Sequence, residues 1–194
     1  MPVYDPETAL LIVDLQNDFA DPKGSLYVRG GEDVVPIANA EQALARSAGA
    51  SVVFTQDWHP PHTPHFAQDG GIWPVHCVQG TWGAAFSDDV TVEGVVVRKG
   101  IDGRDGYSGF SVRDPTSGTT EATELGRILR EAGIERLVIT GLATDYCVVE
   151  TVGDARMLGF EVDVIADGIR AVDLHDGDGE RAIRRMRDAG AEIV

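Results

Sequence analysis

The chain has 194 residues, of which 43% are hydrophobic, and its 32 acidic and 16 basic residues give a formal net charge of -16. This length predicts one domain, residues 1–194, with a core of its own. The charge argues against nucleic acid or an anionic membrane as a partner, because both are bound through clustered Lys and Arg. No leader pattern opens the sequence and no apolar run approaches the roughly 20 residues that cross a bilayer, so we expect a cytoplasmic protein.

Apolar runs and amphipathic segments alternate along the chain. Runs rich in Val, Ile and Leu predict six buried strands, at 8–15, 50–57, 94–100, 136–142, 161–167 and 191–194. Helical periodicity predicts four helices, at Val34 to Ala48, Glu121 to Ala132, Asp145 to Leu158 and Gly179 to Ala189. This alternation favours a three-layer α/β/α sandwich around a mainly parallel sheet. Two segments, about 58–89 and 100–118, are predicted to be irregular, and such long loops usually carry function.

Chemically reactive side chains close four of the predicted strands. Asp14, Asp57 and Lys99 end the first three strands, and the fourth leads through GLATDYC to Cys147. Because ligands bind beyond the carboxyl ends of parallel strands, we expect these four side chains to converge at one edge of the sheet. For each aspartate taken alone, the alternative is a cap on the helix that follows it.

Lys99 and Cys147 have the features of a reactive site. Lys99 is one of two lysines against 14 arginines, which favours a need for a compact ammonium over a lysine that merely extends to water. Cys147 lies near the start of a helix, marked by Thr144 or Asp145, where backbone N–H groups and the helix dipole favour a thiolate. With Asp14 as base, this predicts acyl transfer by a cysteine nucleophile. The alternative is an inert, buried cysteine.

The other cysteine, Cys77, has a different context. It lies far from Cys147 in the sequence, so no disulfide is expected in a reducing compartment. Cys77 directly follows His76, and immediate neighbours rarely both reach one metal ion. We therefore expect a structural role for Cys77.

Four of the five histidines lie in one proline-rich segment. Asp57 and His59 are two residues apart at a strand end, so their side chains point the same way if the extended conformation continues. His65 and His76 follow in a loop that four prolines stiffen. One carboxylate and three imidazoles suit Zn, Fe or Mn, which predicts a metal site. His62 is surplus to this set, and each histidine taken alone is equally compatible with a surface or core position.

Together these motifs resemble the nicotinamidase (pyrazinamidase) branch of the isochorismatase-like hydrolases. The resemblance covers most of the chain and rests on LLIVDLQNDF, DWH, HF, WPVHCVQGT, RKG, YSGF and GLATDYCV in the family's order. The catalytic triad that it implies is Asp14, Lys99 and Cys147. The metal ligands that it implies are Asp57, His59, His65 and His76. The ring-pocket residues that it implies are Phe19, Trp73 and Tyr107, with Tyr146 at a position where some members have His.

The resemblance also implies a reaction and a cofactor. The reaction is deamidation of nicotinamide, and also of pyrazinamide, through a thioester on Cys147, with a role in NAD salvage. Backbone N–H groups of Ala143 and Cys147 would hold the oxyanion, with a cis peptide bond before Ala143. One divalent metal ion, Zn first and Fe or Mn as alternatives, would bind the pyridine nitrogen and orient the ring. The sequence is compatible with a homo-oligomer.

Two other functions stay open at the level of sequence. A related cysteine amidohydrolase would use the same triad on another small amide, such as a carbamoyl or ureido compound, and would keep its rate after metal removal. A non-catalytic metal-binding protein would have Cys147 only as part of its core, so Cys147→Ala would change packing alone.

Overall fold

A computed structural model of the protein describes residues 2–194 and contains two sheets. The strands are β1 Thr8–Val13, β2 Ser51–Asp57, β3 Val95–Lys99, β4 Ser111–Arg113, β5 Thr120–Ala122, β6 Arg136–Leu142, β7 Glu161–Arg170 and β8 Glu192–Ile193. Six of them form a parallel sheet in the order β3-β2-β1-β6-β7-β8, and β4 pairs with β5 as an antiparallel hairpin. The order reverses between β1 and β6, so the carboxyl edge there is the expected place for a ligand site.

Helices flank the parallel sheet. They are α1 Asn17–Ala20, α2 Val34–Ser47, α3 Leu125–Glu131, α4 Val149–Met157 and α5 Asp178–Asp188. A π-helical turn, Thr144–Val148, leads from β6 into α4. Within residues 2–194, none of the helices has the length and apolar character that crossing a bilayer requires.

The core has two halves, one on each face of the sheet. All six residues of β1 are buried, and successive side chains alternate between the faces. Leu11 and Val13 lie in the half that contains apolar residues of α3, α4 and α5, whereas Leu10 and Ile12 lie in the half that contains those of α2. This is the predicted three-layer α/β/α sandwich, which the structure confirms.

The segment before α3 differs from the sequence prediction. A helix was expected from Glu121 to Ala132, but Thr120–Ala122 forms β5 and α3 begins only at Leu125. Thr123 explains the change, because its hydroxyl donates to Gly109 O at 2.6 Å and accepts the Leu125 N–H at 3.2 Å. The first hydrogen bond attaches the chain to the loop after β3, and the second directs the chain into α3. The hairpin therefore also occupies part of the 100–118 segment predicted to be irregular.

Candidate active site and metal centre

Three of the predicted strand-end residues meet in a buried cluster at the carboxyl edge of the sheet. Asp14 follows β1, Lys99 ends β3, and Cys147 lies in the π-helical turn after β6. Nζ of Lys99 lies 2.9 Å from Oδ2 of Asp14 and 3.6 Å from Sγ of Cys147. All three side chains are buried. The cluster therefore combines a carboxylate, an ammonium and a thiol away from bulk water.

Asp57, the fourth strand-end residue, connects this cluster to the histidines. Its Oδ1 lies 2.5 Å from Nζ of Lys99, and its Oδ2 lies 3.7 Å from Nε2 of His59. Burial tends to raise the pKa of Asp57, but the Lys99 ammonium, together with His59 and His76, outweighs burial and holds the pKa below its usual range. Asp57 is therefore an ionised carboxylate with one oxygen toward each group.

The pKa values of the three residues in the buried cluster depart from their ordinary values. Burial raises the pKa of the Asp14 carboxyl, and the Lys99 charge opposes this only in part. Burial also raises the pKa of the Cys147 thiol well above its ordinary value, again against an opposing effect of Lys99. Burial alone would lower the pKa of Lys99, but Asp14 and Asp57 raise it well above its usual range. Lys99 is thus a fixed cation between groups that can exchange a proton.

One carboxylate oxygen of Asp14 is fixed and the other is available. Oδ1 accepts the Thr55 hydroxyl at 2.7 Å, and the Asp14 N–H donates to the same hydroxyl oxygen at 3.2 Å. Among residues 2–194, Oδ2 accepts no aligned hydrogen bond, although the Lys99 charge lies nearby. One oxygen each from Asp14 and Asp57 lies within 4.8 Å of Sγ of Cys147 and of the other. A buried carboxylate oxygen that accepts no aligned hydrogen bond and lies beside a thiol is positioned to take its proton.

Backbone geometry places Cys147 in its turn. The peptide bond between Leu142 and Ala143 is cis, as the resemblance implies. The carbonyl of Ala143 accepts the N–H groups of Tyr146 and Val148, at 3.1 and 3.0 Å. These bonds fix the turn that carries the nucleophile between β6 and α4.

The predicted helix cap at Thr144 or Asp145 is wrong. The turn begins after Ala143, and no described side chain caps it. The Asp145 carboxylate instead accepts the backbone N–H groups of Val172 and Asp173, each at 2.9 Å. Asp145 thereby holds the segment after β7 against the turn, which the sequence could not show because the two segments are far apart in the chain.

Three of the four clustered histidines form a group that suits a metal ion. His59, His65 and His76 are buried, and each offers a ring nitrogen within 4.8 Å of the others. Both ring nitrogens of His59 are buried without a hydrogen-bond partner in the described chain, which fits the ligand chemistry of a metal. Burial lowers the pKa of His76 to about 4, so it is a neutral imidazole, the form that binds metals. Asp57 lies beside His59, but its carboxylate groups with Asp14 and Cys147 and not with the three imidazoles, so its place as a fourth ligand stays a prediction.

The two remaining residues of the histidine loop lie elsewhere. His62 is largely exposed, and its Nδ1 lies 3.1 Å from Asp69 Oδ1. Cys77 is fully buried, and its N–H donates to Oδ2 of Asp18 at 2.7 Å. Both cysteines are free.

Sequence reasoning missed supporting residues. The side-chain amide of Gln16 forms two hydrogen bonds with the backbone of Asp57. Its Nε2 donates to Asp57 O at 2.8 Å, and its Oε1 accepts the Asp57 N–H at 2.8 Å. Oδ2 of Asp105 lies 2.8 Å from Nδ1 of His65. Gln16 follows a strand end, which was the only signal in the sequence, whereas Asp105 lies in an irregular loop with no signal at all.

An aromatic pocket joins the thiol to the histidines. Cys147, His65 and His76 all line it. The aromatic and backbone positions in its lining include Phe19, Trp73, Tyr107, Ala143 and Tyr146, which brings together all the predicted pocket residues. The indole N–H of Trp73 donates to the Tyr107 hydroxyl at 3.0 Å, and the ring of Tyr146 lies edge-on to both, at 5.0 and 5.3 Å. Aromatic walls of this kind, with a few polar groups among them, suit a small planar ligand.

A parallel α/β sheet with a buried Cys, Asp and Lys at its carboxyl edge fits the class of hydrolases that use a cysteine nucleophile. Residues 8–194 match the family model for the isochorismatase domain, and the chain belongs to this family. Within it, the chain is an enzyme of the nicotinamidase/pyrazinamidase branch, as its relatives show.

Three relatives illustrate the similarity. The nicotinamidase of Escherichia coli is 38% identical over 206 residues, which cover 97% of this chain and 94% of the relative. The pyrazinamidase of Pyrococcus horikoshii, solved in complex with zinc, has 39% identity and a TM-score of 0.87 over 97% of this chain and 99% of its own. PnC1 from L. infantum, solved in complex with nicotinate, has 35% identity and a TM-score of 0.89 over 100% of this chain and 96% of its own.

Proposed function

We propose that the protein hydrolyses nicotinamide to nicotinate and ammonia. The observation that carries this proposal is a single aromatic pocket lined both by Cys147, next to Asp14 and Lys99, and by His65 and His76. A carboxamide at the thiol and a ring nitrogen at the histidines are the two ends of nicotinamide. The nicotinate in the L. infantum relative supports the same substrate.

The first half-reaction transfers the acyl group to Cys147. Asp14 takes the thiol proton through Oδ2, the oxygen that accepts no aligned hydrogen bond, and Sγ attacks the carboxamide carbon. Lys99 stabilises the negative charge that moves between carboxylate and sulfur. Backbone N–H groups of Ala143 and Cys147 hold the oxyanion. The C–N bond then breaks, Asp14 returns its proton to the departing ammonia, and a thioester remains.

The second half-reaction releases the acid. A water molecule attacks the thioester carbon while Asp14 accepts one of its protons. The C–S bond breaks, nicotinate leaves, and Asp14 returns the proton to sulfur. The thiol and the carboxylate are thereby restored in their starting states.

The proposed metal ligands are Asp57, His59, His65 and His76. These residues would hold a divalent ion, Zn or alternatively Fe or Mn, which would supply a Lewis acid for the pyridine nitrogen and so orient the ring. The zinc in the Pyrococcus horikoshii relative supports this assignment. The chain's own contribution is the neutral imidazoles and the ionised Asp57.

Phe19, Trp73, Tyr107 and Tyr146 are the proposed ring contacts. Pyrazinamide has the same planar shape with a nitrogen in place of one ring CH, so the pocket should accept it as a second substrate. The proposed reaction would belong to NAD salvage, as the family resemblance implies.

Ammonia release from nicotinamide by the zinc-loaded protein tests the proposal. We expect release by the intact protein, and a loss of at least about 10³-fold in Cys147→Ala, because the nucleophile is gone. Removal of the ion with a chelator should also abolish release, and added zinc should restore it. Unfolding temperatures of the variant and the intact protein control for folding.

No release from the intact, zinc-loaded protein would contradict the proposal and direct the search to carbamoyl and ureido amides. An unchanged rate after chelation would contradict the metal's part in it.

A further inference from the structure

Asp105 contacts the histidine group from outside. Its Oδ2 lies 2.8 Å from Nδ1 of His65, a distance typical of a charge-assisted hydrogen bond. His65 is buried, and its ring stacks on His59 with centroids 4.8 Å apart and lies 5.2 Å from the ring of His76. The contact with Asp105 therefore constrains one of three mutually adjacent rings.

This contact determines which nitrogen of His65 carries the proton. A neutral imidazole has one N–H and one lone pair, and an ionised carboxylate can only accept. A proton on Nδ1 of His65 satisfies Asp105 and leaves the lone pair on Nε2. The opposite tautomer would place the Nδ1 lone pair against the carboxylate at 2.8 Å, which is repulsive.

The three imidazole rings differ in the hydrogen-bond partner of Nδ1. Nδ1 of His76 lies 2.7 Å from the backbone carbonyl of Pro74, whereas both nitrogens of His59 lack a partner in residues 2–194. Asp105 is thus the carboxylate within hydrogen-bond distance of a ring nitrogen of this group. Of the two rings with a fixed Nδ1, only that of His65 depends on a side chain that can be substituted.

The backbone of Asp105 is held independently of its side chain. Its N–H donates to Arg113 O at 2.8 Å, and its carbonyl accepts the Arg113 N–H at 2.5 Å. Arg113 ends β4, so the β4–β5 hairpin anchors this point of the loop. A substitution at Asp105 should therefore remove the carboxylate and leave the loop in place.

We propose that Asp105 is a positioning residue for the metal centre, which holds His65 as the Nδ1–H tautomer with Nε2 directed to the ion. The inference rests on the proposed function, since it takes His65 as a ligand. Carboxylates that hold a ligating histidine in this way orient the ring and increase its basicity, and their loss typically weakens metal binding by about 10- to 100-fold.

Zinc affinity, measured by competition with a chromophoric chelator, tests this role without any substrate. We expect Asp105→Ala to weaken zinc binding by about 10- to 100-fold. Asp105→Asn should lose less, because its amide oxygen still accepts the Nδ1–H bond. Asp102→Ala is the matched control: it removes a half-exposed carboxylate of the same loop, which pairs with Arg104, and should leave zinc affinity unchanged.

The tautomer of His65 in the metal-free protein gives a second readout. Long-range ¹H–¹⁵N NMR should show His65 as the Nδ1–H form in the intact protein and as a mixture of forms in Asp105→Ala. A merely structural role for Asp105 would lower the unfolding temperature without changing the tautomer. An Nε2–H form in the intact protein, or unchanged zinc affinity in Asp105→Ala, would overturn the inference.

These outcomes separate the inference from the proposed function. An intact protein that shows the zinc and tautomer effects but releases no ammonia from nicotinamide would contradict the proposed function alone. An active protein in which Asp105→Ala binds zinc normally would overturn the positioning role alone.

Discussion

Asp14 combines two properties that rarely occur together in a buried carboxylate. One oxygen is fixed by Thr55, and the other has no aligned hydrogen bond within the described chain. It also stands close to the thiol whose proton it is proposed to carry. Asp14 should therefore affect Cys147 in two opposite ways: its negative charge disfavours the thiolate, while its proton transfer makes turnover possible.

Asp14→Asn should separate these effects. Removal of the negative charge should lower the pKa of Cys147, because Asp14 raises it in the folded protein while Lys99 lowers it. Alkylation of Cys147 by iodoacetamide should therefore be faster at neutral pH in the variant, with its pH midpoint shifted downward. Ammonia release should fall by about 10²-fold or more, because no group carries the proton to the leaving ammonia.

A rise in alkylation with retained turnover would contradict the proton-transfer role of Asp14. Cys77 provides the internal control, since it is fully buried and should stay unmodified in both proteins.

Residues at strand ends could be predicted from the sequence, and residues within loops could not. Asp14, Asp57 and Lys99 were found because each follows an apolar run whose end is visible in the sequence. Asp105 acts through a loop whose position depends on a backbone bridge to Arg113, and nothing in the sequence indicates that bridge. Gln16 is a similar case, because its role depends on the backbone of Asp57 in the neighbouring strand.

At the scale of elements, the loop after β3 passes directly against the histidine group. Gly100 has a φ of +77°, and a Cβ there would lie 2.6 Å from Nδ1 of His59. The close approach leaves no room for a side chain between residue 100 and the ring of His59. The same loop then carries Asp105, so one irregular segment supports two of the three imidazoles.

Gly100→Ala should damage the metal site more than it damages the fold. We compare it with Gly103→Ala, whose φ of +84° is similarly strained but whose Cβ would lie 4.0 Å from its nearest neighbour, Thr63 Oγ1. Both variants should lose about 1–2 kcal/mol of stability from the left-handed backbone. Only Gly100→Ala should also weaken zinc binding, by about 10-fold or more.

Chelator competition and thermal unfolding measure the two effects separately. Equal zinc affinities for Gly100→Ala and Gly103→Ala would show that the contact with His59 is not needed.

The regular elements were predictable to the extent that burial fixes them. The central strands β1, β2 and β6 follow apolar runs, since strands buried on both faces must be apolar throughout. The edge strand β3 also follows an apolar run, but three of its five residues are exposed. The helix predicted from Glu121 began too early because its first residues pair with β4, and such a short, exposed hairpin has no apolar pattern. Pairing with β4, and not the local sequence pattern, sets the conformation of residues 120–122.

At the scale of the whole molecule, the charge is strongly unbalanced, with 32 acidic against 16 basic residues. Most of these groups lie at the surface, so their repulsion opposes the compact state and is screened by salt. The active-site charges behave differently, because Asp14, Asp57 and Lys99 are buried and paired. Salt should therefore act on stability more than on the chemistry.

The unfolding temperature should rise with NaCl between about 0.01 and 0.5 M at pH 7.5, where the Debye length falls from about 30 Å to below 8 Å. The rise should become smaller near pH 5, because the net charge approaches zero toward the pI of about 4.5. Differential scanning calorimetry at both pH values measures this. An equal rise at both would attribute the effect to something other than self-repulsion.

Asp57 lies between two clusters of side chains, so a substitution of Asp57 should damage both. Its two oxygens face Lys99 and His59, so one residue contacts both the cluster around Cys147 and the histidine group. In a mutational scan scored separately for thiol reactivity and for zinc retention, most damaging alleles should fail in one assay. Alleles at Asp57 should fail in both, and no second-site change confined to one cluster should rescue them.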